Sequence, residues 1–301
     1  MELRQIKYFM EVAKHEHVTH AAENLHVAQS AISRQIFNLE EELGIDLFIR
    51  EGRNVRLTPI GKVFLEHMEQ AMNVIDDATQ VVKQYTDPEL GTIHIGFPSS
   101  LASHILPNAI SAFREQYPNV NFKLSQWSYQ DLKEAVVKGD INMALLGPVP
   151  KNEPKLIEKI LFTENIVALL PSRHRFAKER SITLNQLRED SFVLFPEGFV
   201  LRDLITEACS QFGFQPNVSF EGDDIDAIKG LVSAGLGISL VPEVTLFDNI
   251  PRGTVKVPVT EPAVRRSVGV IIPKDRNLLP TEELFYEFLQ DLYSRLEKFQ
   301  F

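Results

Sequence analysis

Residues 19–36 read Thr19-His-Ala-Ala-Glu-Asn-Leu-His-Val-Ala-Gln-Ser-Ala-Ile-Ser-Arg-Gln-Ile36. The chain runs on through Leu39-Glu-Glu-Glu-Leu-Gly44 to Leu47-Phe48-Ile-Arg50 and Leu57-Thr58. Two short helical patterns lie here with almost nothing between them. Ala21, Ala22 and Leu25 recur at helical spacing in the first; Ala28, Ile32, Ile36, Leu39 and Leu43 do so in the second. Thr19 is in position to cap the first helix, with Glu23 in its early turns. The small pair Ala21-Ala22 lets a second helix approach closely, and Val27 is placed to plug the turn. Such a helix–turn–helix holds one helix proud of the surface, where it can enter a DNA major groove.

The polar side of the second helix carries chemistry suited to that task. Gln29, Ser30, Ser33, Arg34 and Gln35 cluster in its N-terminal half, the end that meets base edges in such motifs. Arg offers a fork to guanine, Gln a bidentate pair to adenine, and Ser a short donor to base or phosphate. Residue by residue, an ordinary amphipathic helix with a solvated face is the better explanation of the pattern. The stretch as a whole resembles the winged helix–turn–helix of LysR-type transcriptional regulators. The resemblance is carried by Ala21-Ala22, Leu25, Gln29-Ser30, Ser33, Ile36, Leu39-Glu40, Leu43-Gly44, Leu47-Phe48, Arg50, Arg53, Leu57-Thr58 and Gly61. It implies that Gln29, Ser30, Ser33, Arg34, Gln35, Arg50 and Arg53 face double-stranded DNA at an inverted-repeat operator. It further implies self-association as a dimer or tetramer, and contact with RNA polymerase.

At 301 residues the chain has room for two domains. Its 44% apolar and 24% charged residues describe a soluble globular protein. Met1-Glu-Leu-Arg-Gln opens no signal segment, and no apolar run approaches membrane-spanning length. Cys209 is the single cysteine, so no internal disulfide forms. A cytoplasmic location is expected. The formal charge of −10 argues at first sight against DNA, but placement matters more than total. Residues 1–60 hold seven Lys/Arg and nine Asp/Glu. Arg34, Arg50, Arg53 and Arg56 form a basic edge, whereas Glu40, Glu41 and Glu42 lie at the far end of the second helix.

In chain order, residues 3–15 predict a helix with Leu3, Ile6, Phe9, Met10 and Ala13 on its apolar face. His15, His17, His20 and His26 lack a Cys partner or paired-ligand spacing, so no metal is expected. Leu47 to Thr58 predicts two short strands around the turn Glu51-Gly52-Arg53-Asn54. This hairpin is the wing in the family resemblance, with Arg53 at its tip. From Thr58 to Tyr85 the pattern is one long helix, capped by Thr58 with Pro59 at its first position. Ile60, Phe64, Met68, Ala71, Ile75, Ala78, Val82 and Tyr85 recur in steps of four and three, near the period of a coiled-coil seam. Such a helix is about 42 Å long, more than a small winged domain can cover. Phe64, Met68, Ala71, Ile75 and Val82 are therefore expected to pair two chains. Asp87-Pro88-Glu-Leu-Gly91 then reads as a hinge.

Beyond Gly91, apolar runs at 92–97, 120–126, 141–146, 166–170, 192–195, 218–220, 238–241 and 267–272 predict strands. Helical stretches fall near 101–116, 128–138, 199–212, 224–234 and 280–297. Strand–helix alternation predicts α/β architecture with mostly parallel sheets and a ligand cleft near strand C-termini. The glycines of Ala234-Gly-Leu-Gly-Ile-Ser-Leu-Val-Pro242 precede a strand, which reads as a helix end followed by a buried strand and not as a phosphate loop. The family resemblance implies two Rossmann-like subdomains similar to periplasmic solute-binding proteins, crossed twice near 163–168 and 262–268. The expected organisation is α/β with an all-α winged helix–turn–helix over 1–58, a linker helix over 59–87 and an effector-binding domain over 88–301.

Ser99 and Ser100 follow the first large-domain strand and are expected at a helix N-terminus, a ready anion site. Ser128 and Gly147-Pro148 follow the next two strands at the same sheet edge. From the other subdomain come Phe195 and Arg202, the latter able to fork onto a carboxylate. In LysR-type proteins the effector sits in this cleft, which supports Ser99, Ser100 and Ser128 most. The segments around Phe97, Leu146 and Phe195 are similar to a branch of the family tied to glutamate metabolism. That likeness implies 2-oxoglutarate or glutamate as effector, with no other cofactor. A solute-binding protein is the competing reading, but it leaves the first ninety residues unexplained. An enzyme finds no support: no P-loop, zincin pair, nucleophile elbow or Ser-x-x-Lys motif is present.

Overall fold

The structure is a computed structural model that describes residues 1–52 and 54–298. It divides into two compact units, Met1–Val82 and Lys83–Phe301.

The first unit opens with α1 (Leu3–His15), α2 (Val18–Asn24) and α3 (Gln29–Leu43), followed by strands β1 (Phe48–Glu51) and β2 (Asn54–Leu57). Glu2 and Gln5 form a reciprocal capping box at the start of α1. The buried face of α1 is Gln5, Ile6, Phe9 and Val12, rotated from the expected one, so Leu3 stays half exposed. α2 starts two residues earlier than expected. His17, not Thr19, is its cap, with His17 Nδ1 accepting from the His20 N–H at 3.4 Å. Ala21 and Ala22 are buried, and the Val27 N–H donates to the Ala22 carbonyl, which closes the turn. Ile32, Ile36 and Leu39 seat α3 on this core, and Gly44 ends it in the left-handed region at φ 70°. β1 and β2 pair antiparallel as a hairpin. α4 (Pro59–Thr86) then runs 28 residues; Thr58 Oγ1 accepts from the Gly61 N–H at 2.9 Å, a side-chain cap.

The second unit begins at a joint. Thr281 Oγ1 donates to the Pro88 carbonyl at 2.7 Å. A Cβ at Gly91 would lie 2.0 Å from the same hydroxyl, so only glycine fits there. Next come β3 (Thr92–Phe97), α5 (Ile105–Gln116), β4 (Asn121–Gln126), α6 (Tyr129–Lys138) and β5 (Met143–Leu146). β6 (Leu156–Pro171), β7 (Ile182–Thr183), β8 (Ser191–Leu194) and α7 (Val200–Gln211) follow. The unit closes with β9 (Asn217–Glu221), α8 (Ile225–Ser233), β10 (Ser239–Pro242), β11 (Thr254–Glu261), β12 (Arg265–Pro273) and α9 (Pro280–Lys298).

β6 joins the two halves. Its residues 156–165 pair with β12, beyond which β5, β3 and β4 complete the first sheet. Its residues 166–171 pair with β10 on one side and β11 on the other. β8 and β9 attach parallel to each other, with a bridge from Phe192 to Ile238. Each half has its own apolar core: one around Ile93, Ile95, Phe113 and Phe285, the other around Leu169, Phe192, Ile205 and Ile228. The chain crosses within β6 and again between β11 and β12, where the Glu261–Pro262 peptide is cis. The sheets are not mostly parallel as expected, because β12, β10 and β11 meet their neighbours antiparallel. β11, β7 and the first half of β6 are additions to the expected strands.

Candidate functional site

α3 presents Gln29, Ser30 and Arg34 to solvent, while Ser33 and Gln35 are half-buried. The buried line Ile32, Ile36 and Leu39 lies on the opposite side, so the core fixes which face points out. Ala28 caps the helix without a side-chain bond, which leaves first-turn N–H groups for an outside acceptor. Arg50 lies exposed on β1, in register with Val55. Arg53 lies outside the described residues. The glutamates at the other end of α3 divide their work. The Glu40 carboxylate accepts from the Leu47 and Phe48 N–H groups at 2.8 and 3.0 Å, which ties the hairpin to the helix.

Along α4, Phe64 packs edge-on against Phe9 at 5.3 Å and belongs to its own unit's core. Met68 is half-buried, whereas Ala71, Ile75 and Val82 are exposed, together with Val74 and Tyr85.

Between the halves of the second unit lies a cavity of about 330 Å³, at the small end of ligand pockets, roughly 300–1,000 Å³. Pro98, Ser99, Ser100, Trp127, Ser128, Tyr129 and Gly147 line it from one half. Phe195, Phe199, Val200, Leu201 and Asp223 line it from the other. The structure therefore brings Ser99, Ser100, Ser128 and Phe195 together. Phe195 stacks on Phe199 at 5.2 Å, an aromatic wall. Ser128 caps α6, exchanging bonds with Asp131, so its hydroxyl is partly engaged. Burial pushes the Tyr129 hydroxyl up to about 12, with Glu153 and Glu158 adding to it, which keeps it protonated. Pro148 follows Gly147 through a cis peptide and is not among the lining residues.

Two expectations fail here. Ser99 and Ser100 do not open an α-helix; they sit on a single 3-10 turn, Ser99–Leu101, and α5 starts only at Ile105. Pro107 explains the delay, since proline fits a helix only in its first turn. Arg202 does not face the cleft. Its Nη1 donates to the Phe195 carbonyl at 2.7 Å and to Glu221 at 3.2 Å, and it lines a separate hollow with Glu197 and Asp203.

The cation near the cleft is Arg266, which the sequence reading missed. Its side chain is fully buried; Nη1 donates to Ser100 Oγ at 3.0 Å and to the Gly147 carbonyl at 3.1 Å. Nε and Nη2 both lie 2.7 Å from Glu164 Oε1. Burial pulls the guanidinium pKa below its usual value, while Glu164 acts in the opposite direction. The pair cross-links the two crossing strands, β12 and β6, beneath two residues of the cleft. The signal available in sequence was a charged pair, Arg265-Arg266, opening an otherwise apolar strand.

A helix–turn–helix with a polar outward face, joined to a two-lobed α/β body with a cleft, defines a class: a ligand-responsive DNA-binding regulator. Residues 3–62 match the family model "Bacterial regulatory helix-turn-helix protein, lysR family", and residues 86–294 match "LysR substrate binding domain". The chain is 58% identical over 300 residues to the transcriptional dual regulator GltC of Bacillus subtilis, covering all of both chains. A mutant OxyR of Corynebacterium glutamicum shares the fold, with TM-score 0.79 at 24% identity over 98% of this chain and 92% of that one. Full-length BenM aligns with TM-score 0.61 at 28% identity over 99% and 98%. The chain belongs to the LysR family of transcriptional regulators. It is a regulator with a DNA-binding helix–turn–helix and an effector-binding domain, not an enzyme.

Proposed function

We propose that this regulator acts in glutamate metabolism, with α3 and the hairpin reading an inverted-repeat operator and the inter-lobe cleft holding a small carboxylate metabolite. Gln29, Ser30, Ser33, Arg34, Gln35 and Arg50 make the DNA contacts. Two chains pair through Ala71, Ile75 and Val82 of α4. No helix among the described residues is long and apolar enough to cross a membrane, and a cytoplasmic regulator fits that.

The observation that carries the effector assignment is the cleft's composition: hydroxyls of Ser99 and Ser100 on one wall, stacked aromatics on the other, and full-length likeness to GltC. Arg266 is neutralised by Glu164, so the cleft offers a carboxylate hydrogen bonds more than net charge. Asp223 on the facing lobe adds an exposed carboxylate. An α-ammonium would meet it favourably, which favours glutamate over 2-oxoglutarate. Titration calorimetry of the full chain with each acid tests this. Ser100→Ala should weaken glutamate, and Asp223→Asn should narrow the gap between the two acids. Silence toward both acids would remove the glutamate assignment while leaving the family intact.

A further inference from the structure

Phe37 stands in the third turn of α3 with 59% of its surface exposed, more than any other large apolar side chain described in residues 1–58. The core does not need it, because Ile32, Ile36 and Leu39 already seat the helix. At about 100° per residue, Phe37 falls within about 60° of Ser30, Ser33 and Arg34 and well away from the buried line. It therefore shares the face presented to DNA. Gln29 to Phe37 spans about 12 Å along the axis, comparable to the width of a major groove, about 12 Å.

An exposed aromatic on this face cannot serve phosphate, which calls for cations and N–H donors. It suits the one apolar feature of the groove, the C5-methyl group of thymine. We propose that Phe37 is a specificity-determining residue that covers a thymine methyl in the operator, beside the polar readers Ser33 and Arg34. This rests on α3 being the helix that enters the groove, and the choice of DNA as occupant follows from continuity with that face.

The test uses the full chain and a footprinted duplex that it selects from random-sequence DNA. Each thymine in turn is replaced by deoxyuridine, which deletes only the methyl group. At one or two positions per half-site, affinity should fall about fourfold, the worth of one buried carbon. That loss should vanish in Phe37→Ala and persist in Phe37→Leu, which keeps an apolar cover. Phe37→Ala should also leave the slope of log affinity against log salt unchanged, because no phosphate contact is removed. Two results overturn the proposal: deoxyuridine losses of equal size in wild type and Phe37→Ala, or no loss at any thymine. A shift of Phe37→Ala toward monomer in sedimentation, with its DNA contacts intact, would instead give the ring to a second copy of the chain. Arg34→Ala serves as the control for the underlying reading. If Arg34→Ala binds normally too, α3 is not the reader; if only Phe37→Ala binds normally, the inference about Phe37 alone falls.

Discussion

Arg34 and Ser33 project from a helix whose opposite side is locked into the core, so trimming them should leave the unit folded. Each to alanine should weaken specific binding by about 1–3 kcal/mol, the worth of a good base contact, in a gel-shift titration with random DNA as reference. Equal loss on both duplexes would make Arg34 a phosphate holder instead. Arg266 and Glu164 behave differently, because they are buried against each other. Arg266→Ala should cost about 3–5 kcal/mol by stranding the carboxylate, seen as a lower Tm. The double variant Arg266→Met/Glu164→Leu should recover most of that loss. Cys209 is fully buried, and desolvation pushes its thiol up to about 12. Iodoacetamide should label it only after denaturation. The sign of its linkage is fixed: a thiol harder to ionise folded than unfolded supports the fold below its ordinary value of 9.0, and that support fades as pH rises above it. Sequence reading placed Ser99, Ser100, Ser128 and Phe195 after strand ends, and all four line one cavity, because strand ends gather at one edge of such folds. It failed for Arg202 and Arg266, since which arginine turns inward depends on partners far away in sequence, here 102 positions off for Glu164.

α4 carries exposed apolar residues at Ala71, Ile75 and Val82, with Met72 among them buried. Ile75→Glu with Val82→Glu should dissociate the dimer in sedimentation while leaving far-UV dichroism intact; an unchanged dimer would place the interface elsewhere. At the other end of the chain, the second residue of α9 is Thr281, wholly buried and bonded to Pro88. Thr281→Val keeps the shape and leaves the part-buried Pro88 carbonyl without this bond, a loss of about 1 kcal/mol that thermal unfolding would register. Most α-helices were legible to within a residue or two of their ends, because apolar residues recur along them at helical spacing; α5 was the exception, starting four residues late. β11 went unread: Val255, Val257 and Val259 alternate, but Lys256 and Pro258 between them obscured the pattern. β6 was half hidden for a similar reason: Glu158, Lys159 and Glu164 interrupt its first ten residues, and only the apolar second half reads as a strand.

At the scale of the whole chain, the family was written in the helix–turn–helix residues, whereas the joining of the two lobes was not. β6 has sixteen residues and belongs to both sheets, with β12 and β11 anchoring it on either side of the crossing. A strand so shared behaves as a torsion bar between the lobes. Turning one lobe against the other twists hydrogen-bonded backbone that neither lobe can release, so restoring force grows with angle. Wide gaping would tear a ladder, and only modest rotations stay inexpensive. The lobes should accordingly melt together in one calorimetric transition, with amides of 160–170 among the slowest to exchange. A ligand that draws the lobes together should therefore register as a small, elastic twist of β6.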